Sequence, residues 1–216
     1  PHPKGIHKIA KNLSLLKLLS PRDFGMQTEL FPSETDFRKA EELLSPTGDK
    51  RLLAMAPGSV WATKCWPTEY YLELAHALTR NGFGIVLTGG REDQRKCDEI
   101  STRLPEGFCV NAAGKTNLLE SAALISRCRA MICNDSGALH LANAMQVKVF
   151  AFFGPTVQRI GYYPFREGDQ VFETALDCRP CSSHGPQKCP LKHHNCMRLI
   201  TPESVLHCIL HHLGEA

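Results

Sequence analysis

The sequence predicts an α/β fold in which a mostly parallel sheet carries helices on both faces. Apolar runs of strand length recur along the chain: Leu52 to Ala56, Gly84 to Thr88, Ala130 to Cys133 and Val147 to Phe153. Amphipathic segments of helical period separate them, and glycine-rich or polar turns follow them. In sheets of this type ligands sit beyond the carboxyl ends of the strands, so the loops that follow strands carry the chemistry.

The elements follow in order. Ahead of Leu52 lie a Leu-rich stretch from Ile9 to Leu19, a break at Ser20-Pro21 and a helix from about Ser33 to Leu44. Residues 1–48 read as the end of a preceding domain plus a linker, and 49–216 as a second domain. After the first strand, Thr68 to Arg80 is a helix stopped by Asn81-Gly82, because glycine takes the left-handed turn that ends helices. Gly84 to Thr88 leads through Gly89-Gly90 into a helix reaching about Leu104. A short strand, Cys109 to Asn111, precedes a helix whose start, Asn117-Leu118-Leu119-Glu120, has capping-box spacing. The strand Ala130 to Cys133, a helix carrying His140 and the strand Val147 to Phe153 come next. The final helix starts at Thr201-Pro202-Glu203, a cap followed by a first-turn proline.

Composition narrows the function classes. With 216 residues and 43% hydrophobic content the chain buries a substantial core. A formal charge of +3 gives no electrostatic argument for nucleic acid, although a basic face could rest against anionic lipid. No apolar stretch approaches membrane-spanning length and no signal peptide precedes Pro1-His2-Pro3-Lys4, so neither an integral membrane nor a secreted protein is expected. The missing initiator Met predicts a piece of something longer. Six of the ten cysteines, Cys65, Cys97, Cys109, Cys128, Cys133 and Cys208, are scattered through helix and strand patterns, which suits reduced, cytosolic thiols.

The most informative segment is Asn134-Asp135-Ser136-Gly137, with His140 one turn further on. It places an acid, a hydroxyl, a glycine and an imidazole where a strand gives way to a helix, whose N-terminal N–H groups and dipole favour an anionic or hydroxyl-rich ligand. An ordinary Asp or Ser N-cap explains the same residues. Ala56-Pro57-Gly58-Ser59 also follows a strand; Ser59 offers a hydroxyl to a phosphate and Lys64 a mobile charge. Within Gly89-Gly90-Arg91-Glu92-Asp93, Glu92 or Asp93 suits ribose hydroxyls, and a plain glycine turn with a solvated helix start fits equally. Gly114 and Thr116, in Ala113-Gly114-Lys115-Thr116, line a base pocket or form a simple turn.

Taken in order, Ala56-Pro57-Gly58-Ser59, Lys64-Cys65-Trp66-Pro67, Thr88-Gly89-Gly90, Ala113-Gly114-Lys115-Thr116, Asn134-Asp135-Ser136-Gly137 with His140, and Phe153-Gly154-Pro155-Thr156 resemble glycosyltransferase family 9, the lipopolysaccharide heptosyltransferases, and most the heptosyltransferase II type. The resemblance spans roughly residues 50 to 160. It implies a GT-B fold of two Rossmann-like domains, of which this chain is the C-terminal, donor-binding one. The implied donor is ADP-L-glycero-D-manno-heptose, with no cofactor required. Ser59 and Lys64 would hold the diphosphate, Glu92 or Asp93 the ribose, and Asp135, Ser136, Gly137 and His140 the phosphate and heptose. The implied acceptor is a heptose of the lipopolysaccharide inner core, at the cytoplasmic face of the bacterial inner membrane. The reaction inverts the anomeric centre, and its general base is an aspartate of an N-terminal domain with no counterpart here. By this resemblance the 216 residues bind donor far better than they transfer sugar.

A Cys-rich loop, 178–196, stands apart. Cys178 and Cys181 form C-x2-C, with Cys189 and Cys196 beyond and His184, His193 and His194 between. Four thiolates close a tetrahedral structural zinc site; free thiols in a packed loop and one or two disulfides are the alternatives. Two other functions stay open, a GT-B or epimerase-type enzyme with another nucleotide-sugar donor and a non-enzymatic module that binds zinc and a partner.

Overall fold

The computed structural model describes residues 5–20, 22 and 24–215; the start Pro1–Lys4 and Pro21 of the predicted break lie outside them. Ahead of the sheet come α1 (Lys8–Leu16) and α2 (Glu34–Leu44), followed by β1 (Arg51–Ala56), α3 (Thr68–Arg80), β2 (Phe83–Leu87), α4 (Gln94–Ser101) and β3 (Cys109–Asn111). Then follow α5 (Leu118–Ser126), β4 (Ala130–Asn134), α6 (Gly137–Ala144), β5 (Lys148–Phe153), β6 (Gln170–Glu173), α7 (Asn195–Arg198) and α8 (Pro202–Leu213).

The six strands are all parallel, in the order β3-β2-β1-β4-β5-β6. Because side chains alternate across a strand, one sequence feeds two cores. Leu53, Met55, Ile85, Ile132 and Phe152 face one layer with α3, α4 and α8. Leu52, Ala54, Val86, Met131 and Ala151 face the other with α2, α5 and α6. Burial on both faces is why these strands read as continuous apolar runs rather than alternating ones. On the first face Trp66 stacks on Phe152, centroids 4.3 Å apart, and donates its indole N–H to the Ile200 carbonyl at 2.9 Å.

Predicted and observed elements agree within a few residues, with informative differences. The helix after Gly89-Gly90 begins as a 3-10 turn, Arg91–Asp93, and ends at Ser101 rather than Leu104. The edge strand β6 has no counterpart in the sequence reading, because its residues are half-exposed and mix polar with apolar. Ala40 and Leu44 of α2, placed by sequence in the preceding domain and linker, pack into the second core against α5. The N-terminal stretch is anchored at His7, which caps α1 and bonds the Tyr163 carbonyl at 2.9 Å, while Leu18 and Leu19 are exposed. No helix among the described residues is long and apolar enough to cross a membrane.

Strand order fixes where a site belongs. From β1 the chain moves outward through β2 and β3, then crosses back through α5 to place β4 on the other side of β1. The loops leaving β1 and β4 therefore diverge, and the crevice between them is the topological switch point where α/β sheets bind ligands.

Candidate functional site

Asn134, the last residue of β4, ties that crevice together. Fully buried, it donates through Nδ2 to the carbonyls of Pro57 and Gly58, both at 3.1 Å. Its Oδ1 accepts from the Trp66 backbone N–H at 2.9 Å and the Tyr71 hydroxyl at 3.3 Å. One amide thus satisfies four partners and sets the β1 loop, the approach to α3 and the end of β4 in fixed relation.

The next residue carries the charge. Asp135 Oδ2 accepts from Lys64 Nζ at 2.6 Å and from the Thr156 hydroxyl at 2.7 Å. Asp135 is therefore no helix cap, and its Oδ1 receives no protein hydrogen bond among the described residues. Ser136 occupies the N-cap position of α6, but its side chain makes no capping bond. Among the described residues the N–H groups of Gly137 and Ala138 have no protein partner, while that of Leu139 turns back on the Ser136 carbonyl at 3.3 Å, and a Cβ on Gly137 would meet open space. The N-terminus of α6 is thus open to a ligand, with Lys64 beside it and a hydroxyl at its mouth.

Two lobes of one crevice meet at Ser136 and Gly137, which line both. The larger, about 380 Å³, has an apolar wall from Val60, Leu118, Ile125 and Leu141 and polar positions at Ser59, Glu92, Asp93 and Thr116. An apolar slot with convergent acids suits a nucleoside. The two acids differ. Asp93 lies so close to Gly58 and Gly89 that a Cβ on either would force the Asp93 side chain to shift, and it accepts from the Gly90 N–H at 3.0 Å. Burial pushes its carboxyl above the ordinary aspartate value of 3.8, against the pull of that N–H. Glu92 is exposed, lies over Gly90 and accepts no protein hydrogen bond among the described residues. Gly114, left open by sequence between a base pocket and a plain turn, lines neither lobe; its positive φ of 68° serves a turn packed on Gln94.

The second lobe is lined by Lys64, Asp135, His140 and Tyr162, and by Ser183 and His184 of the Cys-rich loop. Burial lowers the pKa of His140 below the ordinary 6.5, outweighing the opposite pull of Asp135, so the ring is neutral at pH 7. Sequence reasoning missed Thr156, Tyr162, Ser183 and His184. Thr156 sits in a segment that supported the resemblance, but its bond to Asp135 exists only in the folded chain.

Of the three alternatives for Cys178, Cys181, Cys189 and Cys196, the structure lends no support to a zinc cage and agrees with free thiols in a packed loop. Among the described residues no three His, Cys, Asp or Glu side chains converge as a metal-holding group, and these thiols are free. They lie near enough to sense one another: Cys196 is pushed up to about 11, by burial first and then by Cys181, with Arg179 opposing. Arg179 organises the loop instead. Its guanidinium donates to the carbonyls of Phe153 at 2.7 Å, Thr156 at 2.8 Å, Gly154 and Thr174, and to Glu173 at 3.0 Å. One rigid fork thereby satisfies the carbonyls leaving β5 and fixes the loop across them.

Comparison with known proteins agrees with this geometry. A family model, glycosyltransferase family 9 (heptosyltransferase), matches residues 1–192. The lipooligosaccharide heptosyltransferase 2 of Haemophilus influenzae is 38% identical over 123 residues, covering 55% of this chain and 36% of that protein. The lipopolysaccharide heptosyltransferase 2 of Salmonella typhimurium is 31% identical over 201 residues, covering 83% of this chain and 56% of that one. The solved structure of Escherichia coli ADP-heptose LPS heptosyltransferase II superposes with a TM-score of 0.72 at 27% identity, over 87% of this chain and 54% of that one. A glycosyl transferase family 9 structure from Veillonella parvula shares the fold, with a TM-score of 0.81 at 23% identity, over 100% of this chain and 62% of that one. This chain thus spans about half, or less, of the length of the curated relatives named here. With its six-stranded parallel sheet and a crevice at the switch point, the chain belongs to glycosyltransferase family 9, the heptosyltransferases.

Proposed function

We propose that this chain is the donor-binding half of a lipopolysaccharide heptosyltransferase, one that transfers L-glycero-D-manno-heptose from ADP-heptose to a heptose of the inner core. The observation that carries the reading is the pairing of an uncapped α6 N-terminus with Lys64, at the junction of an apolar slot and a polar lobe. Adenine and ribose occupy the slot, the diphosphate lies across Ser136, Gly137 and Lys64 with Ser59 at its edge, and the heptose enters the polar lobe. Glu92, whose oxygens no protein donor engages, takes the ribose hydroxyls; Asp93 clamps the loop through Gly90. Asp135 Oδ1 faces the sugar-phosphate end, and Thr116 bounds the nucleoside.

The chemistry follows from charge. Breaking the anomeric C–O bond leaves negative charge on the departing ADP, and Lys64 with the α6 N–H groups is preorganised to stabilise it. Asp135 keeps Lys64 from swinging away, since Lys64 can give one proton to Asp135 and two to phosphate oxygens. Glu92 and Asp135 thus serve the donor and Asp93 the loop, and the base that activates the acceptor hydroxyl comes from an N-terminal domain in the whole protein. That protein works at the cytoplasmic face of the inner membrane, on an acceptor presented by lipid. The test is to incubate the whole protein with ADP-heptose and a one-heptose acceptor and look for a single heptose mass increment. An increment only with an acceptor lacking heptose would move the assignment to the first transferase; none with either would exclude heptose transfer.

A further inference from the structure

The Cys-rich loop is the segment that the donor reading leaves without a task, and its position gives it one. The loop is stapled to the turn that carries Lys64. The Thr63 hydroxyl donates to the Pro186 carbonyl, His194 Nε2 meets the Thr63 carbonyl at 2.8 Å, and the Gln187 side chain both accepts from the Ala62 N–H at 3.2 Å and donates to the Val60 carbonyl at 3.0 Å. The Cys181 N–H donates to the Pro155 carbonyl at 2.9 Å, which ties the same loop to the segment bearing Thr156. Gly185 fills the closest approach. Its φ is +85°, and a Cβ there would lie 3.1 Å from Pro155 Cγ and 3.2 Å from Lys64 Cγ.

Just before Gly185 the chain makes a tight turn, in which Ser182 Oγ accepts from the N–H groups of His184 at 3.2 Å and Gly185 at 2.7 Å. That turn presents Ser183 and His184 to the polar lobe, on the side away from the nucleoside slot. Both side chains are exposed, and neither has a protein hydrogen-bond partner among the described residues. Two side chains with hydrogen-bonding capacity to spare, on a backbone held at both ends, form a wall that does not have to be ordered when ligand arrives.

Building on the donor reading above, we propose that Ser183 and His184 determine specificity for the donor's sugar, contacting hydroxyls of the pyranose beyond the β-phosphate while leaving the nucleoside diphosphate untouched. The slot takes up adenosine, and the α6 N-terminus with Lys64 the diphosphate, so the part of the polar lobe beyond Lys64 meets what the β-phosphate carries. There the neutral His140 and Tyr162 form one side and the loop the other. A hydroxyl placed between them finds acceptors on His140 and Asp135 Oδ1 and further capacity on His184.

The experiment is calorimetric titration of the full chain with ADP and, separately, with ADP-heptose, for wild type, His184→Ala and the double variant Ser183→Ala with His184→Ala. Melting temperatures are recorded to confirm folding. The expected result is ADP affinity within about twofold of wild type, and ADP-heptose affinity lower by about five- to tenfold for each hydrogen bond lost. Equal weakening of both ligands would show that the loop only props Lys64, and no change with either would remove Ser183 and His184 from the site; either result overturns the proposal. Wild type that binds neither nucleotide would overturn the donor reading itself, and this inference with it.

Discussion

Replacing Lys64 by alanine separates a ligand-binding charge from a structural ion pair. The Lys64 and Asp135 side chains are 12% and 9% exposed and 2.6 Å apart, so the pair is partly desolvated. Breaking a fully buried pair costs about 3 to 5 kcal/mol. Here Thr156 stays on Oδ2 and water can reach the vacated space, which brings the expected loss to about 1 to 3 kcal/mol, the cost of an under-satisfied buried acceptor. For a domain of this size that is a fall of about 2 to 12 °C in Tm. Binding is the sharper readout. A charge-assisted hydrogen bond to phosphate is worth about 1.5 to 3 kcal/mol, or about 10- to 150-fold in ADP affinity. In Lys64→Ala the unpaired carboxylate of Asp135 also faces the diphosphate, so adding Asp135→Asn should recover part of the affinity. Calorimetry with ADP measures both effects. If folded Lys64→Ala bound ADP as wild type does, the pair would be structural and the diphosphate would lie elsewhere.

Three further outcomes follow from the same geometry. Glu92→Gln should weaken ADP binding by about 1 to 2 kcal/mol through lost ribose contacts with Tm unchanged, whereas Asp93→Ala should lower Tm by removing the acceptor of the Gly90 N–H; the opposite pattern would exchange their roles. The affinity for ADP-heptose, whose diphosphate is esterified at both ends and keeps its charge, should fall as pH drops through the depressed pKa of His140, because protonation removes the acceptor the neutral ring offers a sugar hydroxyl, and this pH dependence should vanish in His140→Gln. Burial pushes Cys97, Cys109 and Cys128 up to about 12 and Cys133 further, so native protein at pH 8 should leave these four unalkylated by iodoacetamide, and mass spectrometry showing rapid labelling would contradict that packing.

The sheet was legible in sequence because strands buried on both faces must be apolar throughout and the helices between them cannot be. Asn117 and Glu120 announced a capping box that the structure contains, and Thr201 caps α8 as its spacing implied. Edge strand β6 was hidden because only one neighbour and half a face constrain its residues. In the site, the segments that follow β1, β2 and β4 were readable, since a strand end leaves the next residues at the same rim. What sequence could not distinguish was a cap from a ligand group at Asp135 and Ser136, since both uses need the same residue types; in the folded chain the Asp135 carboxylate is engaged by Lys64 and Thr156 rather than by the α6 N–H groups, and Ser136 holds the N-cap position without a capping bond. Ser183 and His184 gave no signal beyond lying among cysteines. Their place in the crevice depends on Arg179, Thr63 and Gln187, contacts made only after the chain has folded.

The central claim is that the crevice between the β1 and β4 loops binds the nucleotide end of an ADP-sugar. Calorimetric titration of the full chain with ADP-heptose, ADP and a UDP-sugar, with Lys64→Ala as the internal control, addresses it most directly. The account predicts saturable one-to-one heat with ADP-heptose and ADP, little or none with the UDP-sugar, and at least tenfold weakening of both adenine ligands in Lys64→Ala. Equal binding of the UDP-sugar, or heat with ADP that Lys64→Ala leaves intact, would contradict it.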